Sequence, residues 1–348
     1  MNIRQATDSD RDNWDNFVNK HSNSTPYHLF AWTKAVKNAY GFGSINLIAE
    51  EADRLVGIFP MTMLKTPFKR PTFVALPYCD IGSLLTISSE AQAALLEEAC
   101  AIAKANNAST LDIRGEINPA LIESQGYHIQ ESSNKGRMLL RLPASSTELW
   151  QGFKAKLRSQ IRKAEKNGLT FQFTNEELDD FYAVFCINMR DLGSPVHSKK
   201  WFTEIIRQYA DRAQVGLVYF QGKVIGGGII LRVGDNISIP WASTLRTHNH
   251  FSPNMLLYWK FLEYAADNGC ATFDFGRSTP GEGTYKFKAQ WGAEPAPLKW
   301  QSINFSAVTR TNQSAPSNYR QIAEKIWQRF PLGLANVLGP AIRKYINL

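Results

Sequence analysis

The chain has 348 residues, about twice a common single domain, so two domains are the starting expectation. Its composition, 44% hydrophobic, 12% aromatic and 20% charged, excludes disordered, collagenous and coiled-coil classes. With 39 Lys+Arg against 31 Asp+Glu the net charge is +8, too modest to imply a polyanionic partner unless the cations cluster.

In chain order, residues 3–6 read as a strand, and Asp8–Asp10 offers N-caps for a helix over 11–20. A helix over 30–39 ends at Gly41 and Gly43. Strands follow at 45–50 and 55–64 across a turn at 51–54, and again at 73–76. Leu95, Ala99, Ile102 and Ala103 share one face of a helix over 90–106, which leads to a buried strand at 109–114. The second half repeats this order. It has a helix over 149–167 closed by Gly168, a strand at 169–174, and helices over 177–189 and 199–209. A hairpin of 215–220 and 224–233 turns at Gln221 and Gly222, then come strand 236–242, helix 255–267 and strand 272–275. A last helix lies near 319–330, followed by a short amphipathic tail.

The halves resemble each other in sequence. ALLEEACAIAKANNASTLDIRG (94–115) and MLLYWKFLEYAADNGCATFDFG (255–276) are each an apolar-faced helix, a polar turn and a Thr-x-Asp strand, with Thr110 and Asp112 matching Thr272 and Asp274. Upstream, RLVGIFPMTML matches KVIGGGIILRV. A duplicated α/β (α+β) unit therefore accounts for the length. A strand, two helices, a three-strand meander, a helix and a strand is the order of the GNAT acetyltransferase fold. The expected architecture is two tandem GNAT-like domains of mixed sheets flanked by helices. They span 1–143 and 144–300, joined at Pro143 to Ser146, with a basic C-terminal extension over 301–348.

Cys79, Cys100, Cys186 and Cys270 lie far apart without metal-ligand spacing, so neither a disulfide framework nor a metal site is expected. The polar N-terminus has no apolar signal region, and no run of eighteen apolar residues exists, so a cytoplasmic protein is expected, with peripheral membrane contact open. Residues 154–166 carry six cations against Glu165, a net +5. On one helix Lys154, Arg158, Arg162 and Lys166, spaced by four, would form a ridge whose like-charge repulsion a polyanion relieves. A solvated face is the plainer alternative.

FDFGRSTPGEGTYKFKAQWG (273–292) is the most site-like segment, a glycine-rich loop directly after a buried strand. Asp274 and Arg277 open it, and Lys286 and Lys288 close it. Read as extended chain, Tyr285, Phe287 and Ala289 share one face and the two lysines share the other, where they could neutralise phosphate or an oxyanion. An ordinary surface hairpin is the alternative. His248 and His250 have no carboxylate or cysteine beside them and read as loop polarity, and no GxSxG elbow is present, so direct attack without a covalent intermediate is the simpler chemistry.

LRSQIRKAEKNGL followed by the 273–292 segment resembles the FemAB/FemX group, relatives of peptidoglycan bridge-forming aminoacyltransferases with tandem GNAT-like folds. HLFAWTKAVKNAYG matches that group's W-x(4)-K signature at Trp32 and Lys37. MRDLGSPVH (189–197) and IWQRFPLGLANVLGP (326–340) are similar to stretches of FemAB-related proteins associated with exosortase and exopolysaccharide loci. The resemblance implies that Lys37 contacts acceptor phosphates, with Trp32 beside it. It implies that Phe287 and Lys288, with Tyr285, lie at the acyl-transfer site. Arg162 and Lys163 of the IRKA motif would be structural or phosphate-binding, and Arg190, Asp191 and His197 would rim the acceptor cleft. Asp274 and Arg277 would bind substrate, and Lys154, Arg158, Arg162, Lys166 and Lys286 would face the donor. PYCDIGSLL stands where bridge-forming members have Gly-Pro-x-x-Asp, which departs from a pentapeptide-type acceptor.

RTHNHFSPNMLLYW stands where acetyl-CoA-dependent relatives have a glycine-rich pyrophosphate loop, and Pro253 removes an amide there. The expected donor is therefore aminoacyl-tRNA or another acyl carrier, with acyl-CoA as the alternative and no tightly bound cofactor. A basic ridge would hold tRNA by salt-dependent, sequence-independent attraction, without sequence-specific DNA binding. Residues 322–346 interleave Trp327, Phe330 and Leu332 with Lys325, Arg329, Arg343 and Lys344, a pattern that fits either an interfacial helix or a helix docked on protein. The expected function is transfer of an aminoacyl or acyl group to an amine or hydroxyl of a cell-envelope, exopolysaccharide or lipid-linked saccharide precursor. A CoA-dependent N-acyltransferase acting on a sugar amine, or a non-catalytic scaffold that binds a polysaccharide or an assembly partner, are the alternatives.

Overall fold

The computed structural model describes residues 1–132, 135–305 and 317–347. The chain begins β1 (Asn2–Gln5), α1 (Arg11–Lys20), α2 (Phe30–Tyr40), β2 (Ser44–Glu51), β3 (Arg54–Leu64) and β4 (Thr72–Val74). It continues β5 (Leu85–Thr86), α3 (Ser89–Ala105), β6 (Thr110–Ile113), α4 (Ala120–Glu123), β7 (His128–Ser132) and β8 (Gly136–Arg141). Next are α5 (Ser146–Gly152), α6 (Ala155–Lys166), β9 (Leu169–Phe173), α7 (Leu178–Asp191), α8 (Lys199–Tyr209), β10 (Ala213–Phe220) and β11 (Lys223–Val233). The last elements are β12 (Asn236–Thr244), α9 (Pro253–Asp267), β13 (Thr272–Ser278), α10 (Gly283–Ala289), β14 (Glu294–Pro297), β15 (Trp300–Asn304), α11 (Ser317–Gln328) and α12 (Leu332–Arg343).

The chain divides into two compact units. One comprises Met1–Lys135, Pro297–Thr311 and Tyr345–Leu348, and the other Gly136–Ala296 and Asn312–Lys344. The first holds a sheet in the order β1-β2-β3-β4-β6-β15-β7, with β5 also on β3. The second holds β14-β8-β13-β12-β11-β10-β9. The expected boundaries at 143 and 300 differ from this division, because two strands cross it. β8 precedes the expected junction yet pairs with β13, since Met138 and Leu140 bury into the second core. β15 follows the second unit's sheet yet sits between β6 and β7, where Ile303 is buried in the first core.

The duplication is visible in register. β4 and β6 run parallel with Val74 opposite Asp112, and β12 and β13 run parallel with Ser238 opposite Asp274. Gly57 lies opposite Thr86 as Gly226 lies opposite Thr244, and in each case a Cβ would meet the threonine methyl, at 2.9 Å and 2.7 Å. β12 is one strand, whereas the first unit has β4 and β5 interrupted by residues 75–84. That interruption folds back along β6. Gly82 bridges to Arg114, whose guanidinium donates to the Cys79 carbonyl, while Trp32 Nε1 donates to Pro77 O at 2.9 Å and Trp300 Nε1 to Asp80 O at 3.0 Å.

The helix expected over 149–167 is two helices. Phe153 is extended (φ −72°, ψ 143°) because its buried ring packs edge-on against Trp259 and Trp291 at 5.8 and 5.6 Å. Lys154 thus caps α6 from outside, and only Arg158, Arg162 and Lys166 remain on a helical ridge.

Candidate active site

The two central strands of the second unit pair over three residues and then part. After Ser238 and Asp274, β12 continues along β11 through Ala242–Gly228 and Thr244–Gly226, while β13 turns to β8 through Arg277–Arg137 and Ser278–Gly136. A crevice beyond the carboxyl ends of parallel strands is where open α/β sheets bind ligands, because backbone groups there leave the ladder. In the first unit the equivalent place is filled by residues 75–84, so the second unit's crevice is the candidate site.

Asp274 fixes the parting point. Its Oδ2 accepts from Arg137 Nε at 2.7 Å and from Ser238 Oγ at 3.5 Å, and its Oδ1 accepts from the Gly276 amide at 2.8 Å. Gly276 sits at φ +74°, which a residue with a Cβ rarely adopts, and the register slips between Asp274 and Arg277. Lys288 of α10 then reaches back, and its Nζ donates to Gly276 O at 3.1 Å and Arg277 O at 2.8 Å. With Lys288 only 9% exposed, a positive charge is held at the end of β13. Beside it, Tyr258 lies parallel to Phe275 at 5.6 Å and edge-on to Phe287 at 5.0 Å.

Of the expected site residues, the structure brings Asp274, Arg277, Phe287 and Lys288 together at this bulge. The extended reading of 285–289 is corrected: α10 is helical, so the two lysines part, with Lys288 buried and Lys286 exposed, while Tyr285 and Phe287 pack on the core. Trp32 is fully buried in the first unit, where it ties down residues 75–84 and has no surface for substrate. His197 is buried too, its ring stacked on Trp201 at 5.7 Å, so it does not rim a cleft. Arg190 pairs with its neighbour Asp191 at 2.7 Å. Lys37 is exposed on α2 of the first unit, beside a small cavity of about 100 Å³ lined also by Lys34, Ser44 and Asn46.

The basic helix is less open than its charge count implies. Arg158 Nη1 donates to the carbonyls of Phe153 (2.8 Å) and Gln151 (3.1 Å), closing the end of α5, and the Arg162 guanidinium lies over the Trp150 ring at 5.3 Å. Lys154 and Lys166 are exposed.

Arg137 and Ser278 were not legible as site residues. Arg137 lies 137 positions from Asp274, and only strand pairing joins them. The Ser278 hydroxyl, buried at the end of β13, has no hydrogen-bond partner among the described residues, and neither does the buried Trp291 Nε1. All four cysteines are free and buried, and burial pushes Cys100 up to about 12 and Cys186 up to about 11, so neither is a ready thiolate nucleophile. Among the described residues no group of three or more His, Cys, Asp or Glu is placed to hold a metal, and no helix is long and apolar enough to cross a membrane.

Residues 151–289 match the acetyltransferase (GNAT) domain family. The chain superposes on FemX with a TM-score of 0.71 at 16% identity, covering 86% of this chain and 97% of that one. It also superposes on a tandem GNAT protein from the clavulanic acid biosynthesis pathway (TM-score 0.53, 14% identity, 87% and 98% covered). The chain has the FemX-like tandem GNAT fold. A further similar structure is the C-terminal domain of a protein assigned as a lysylphosphatidylglycerol synthetase from Agrobacterium fabrum (TM-score 0.58, 11% identity, 85% and 91% covered). No curated protein matches. Within this tandem GNAT fold, the matched region contains the parted strands, the Asp274 bulge and Lys288.

Proposed function

We propose that the chain is an acyltransferase whose acceptor amine or hydroxyl attacks the donor carbonyl directly at the crevice between β12 and β13, while the bond from that carbonyl to the carrier's oxygen or sulfur breaks and the acceptor's proton leaves with the departing carrier. The observation that carries this reading is the parting of the strands at Asp274, with the buried Lys288 ammonium on the bulge, inside the region that matches a GNAT domain. Held away from water, that charge favours the developing oxyanion more than a solvated lysine would. Orienting donor and acceptor supplies the rest, with no covalent intermediate.

The donor in this reading is aminoacyl-tRNA or an acyl thioester other than CoA bound in the usual way. Where a glycine cradle would present free amides, Arg246–Phe251 forms a 3₁₀ turn, the His248 and Ser252 amides donate to Leu245 and Asn249 carbonyls, and Pro253 has no N–H. The acceptor is a cell-envelope or saccharide precursor, supported by the likeness to FemX and to the lysylphosphatidylglycerol synthetase domain.

Mass spectrometry of ligands co-purified from the native host, followed by transfer assays with the acyl donor found, tests the reading. Lys288→Met keeps bulk and removes charge, and kcat is expected to fall by about 100-fold or more. Full activity in that variant overturns the role given to Lys288. A CoA-dependent N-acyltransferase is the second reading, favoured by the acetyltransferase family match itself. Tight acetyl-CoA binding in calorimetry selects it.

A further inference from the structure

α12 carries apolar side chains both on its packed face and outside it. Ala335 and Gly339 face inward, Gly339 so close that a Cβ would meet Val196 at 3.0 Å, while Leu334, Val337, Leu338 and Ile342 are exposed, Val337 at 72%. α11 repeats the plan, with Trp327 buried and Ile322 and Ile326 exposed. Six of the eleven exposed large apolar side chains among the described residues thus sit on these two helices. Both helices pack on α7, so their inward faces are already covered within the second unit, and the outward faces are surplus to folding.

The charges choose what covers them. Lys325 on α11 and Arg329, the residue just past its end, are exposed, each three residues beyond Ile322 or Ile326. Glu324 is the one acid on either helix among the described side chains. A second copy docked on this face about a two-fold axis would bring like charges together. An anionic headgroup layer would accept both the cations and, beneath it, the apolar side chains. Twelve residues make a helix of about 18 Å, too short to span hydrocarbon, so α12 would lie along the surface.

We infer that the outward faces of α11 and α12 dock the protein on an anionic lipid bilayer. The inference is independent of donor and acceptor identity. Its test is flotation of the full chain with vesicles of phosphatidylcholine alone or with about one third phosphatidylglycerol. The expected result is binding to the anionic vesicles that weakens with salt. It falls on the order of tenfold or more in K325E/R329E and is lost in V337E/L338E, while both variants keep the wild-type circular dichroism and unfolding midpoint. Absence of vesicle binding, equal binding to neutral vesicles, or binding that survives V337E/L338E overturns it. A concentration-dependent dimer that V337E/L338E abolishes also overturns it, since a second copy would then own this face.

Discussion

At the residue scale, Asp274 is the hinge between structure and chemistry. Its carboxylate is almost fully buried and faces Arg137, so Asp274→Asn leaves a partly buried guanidinium without its counter-charge. The expected loss is roughly 3 kcal/mol in urea unfolding. Ser278→Ala behaves oppositely. Removing a buried hydroxyl that has no partner leaves stability unchanged or raised by up to about 1 kcal/mol. If that hydroxyl meets the reacting groups, transfer falls about tenfold while the unfolding midpoint does not. A loss of stability together with activity would mark Ser278 as merely structural. His197 supplies a pH test. Burial, with Arg343 adding to it, holds its imidazole well below the ordinary value of 6.5. The unfolded chain then binds the extra proton, so this contribution is intact above pH 6.5 and is lost as pH falls below it, by up to about 1.4 kcal/mol per unit. His197→Phe keeps the ring stack on Trp201, and the difference between its urea stability–pH curve and wild type isolates that slope.

At the element scale, close packing of helix on sheet depends on a few small residues. A Cβ on Gly228 would meet the Trp241 carbonyl at 2.8 Å and the Phe261 ring of α9 at 2.9 Å. Gly228→Ala is expected to lower stability by about 1–3 kcal/mol, read as a shift in thermal midpoint. α10 shows why local pattern can mislead. TYKFKA alternates like a strand, yet the chain closes a helical turn from Glu282 O to Lys286 N, because Lys288 gains two carbonyl acceptors on β13 that a strand would not bring to it. The break at Phe153 has the same kind of cause: an aromatic side chain finds a better berth between Trp259 and Trp291 than the helix offers it.

At the scale of the molecule, the first unit depends on a strand that follows the second unit's main segment in the chain, since β15 lies beyond Gly136–Ala296. A fragment of residues 1–143 lacks β15, which lies between β6 and β7, and so should show no cooperative unfolding by circular dichroism. A sigmoidal transition at the wild-type midpoint would refute that.

Helix periodicity, strand alternation and the two Thr-x-Asp copies were enough to expect two GNAT-like units, because those patterns are set by which residues must be buried. The segment 273–292 stood out for the same local reasons, a buried strand running into glycines and lysines. Strand partners were not legible. Pairing β8 with β13 and β15 with β6 joins residues far apart in the chain, and nothing local records it. Nor could charge counting show that Arg158 caps a helix, that Trp32 and His197 are core, or that Lys288 is buried on a bulge. Net charge and motif spacing are properties of the chain. Which charges meet solvent, and which meet one another, is decided only when the sheets close and exclude water.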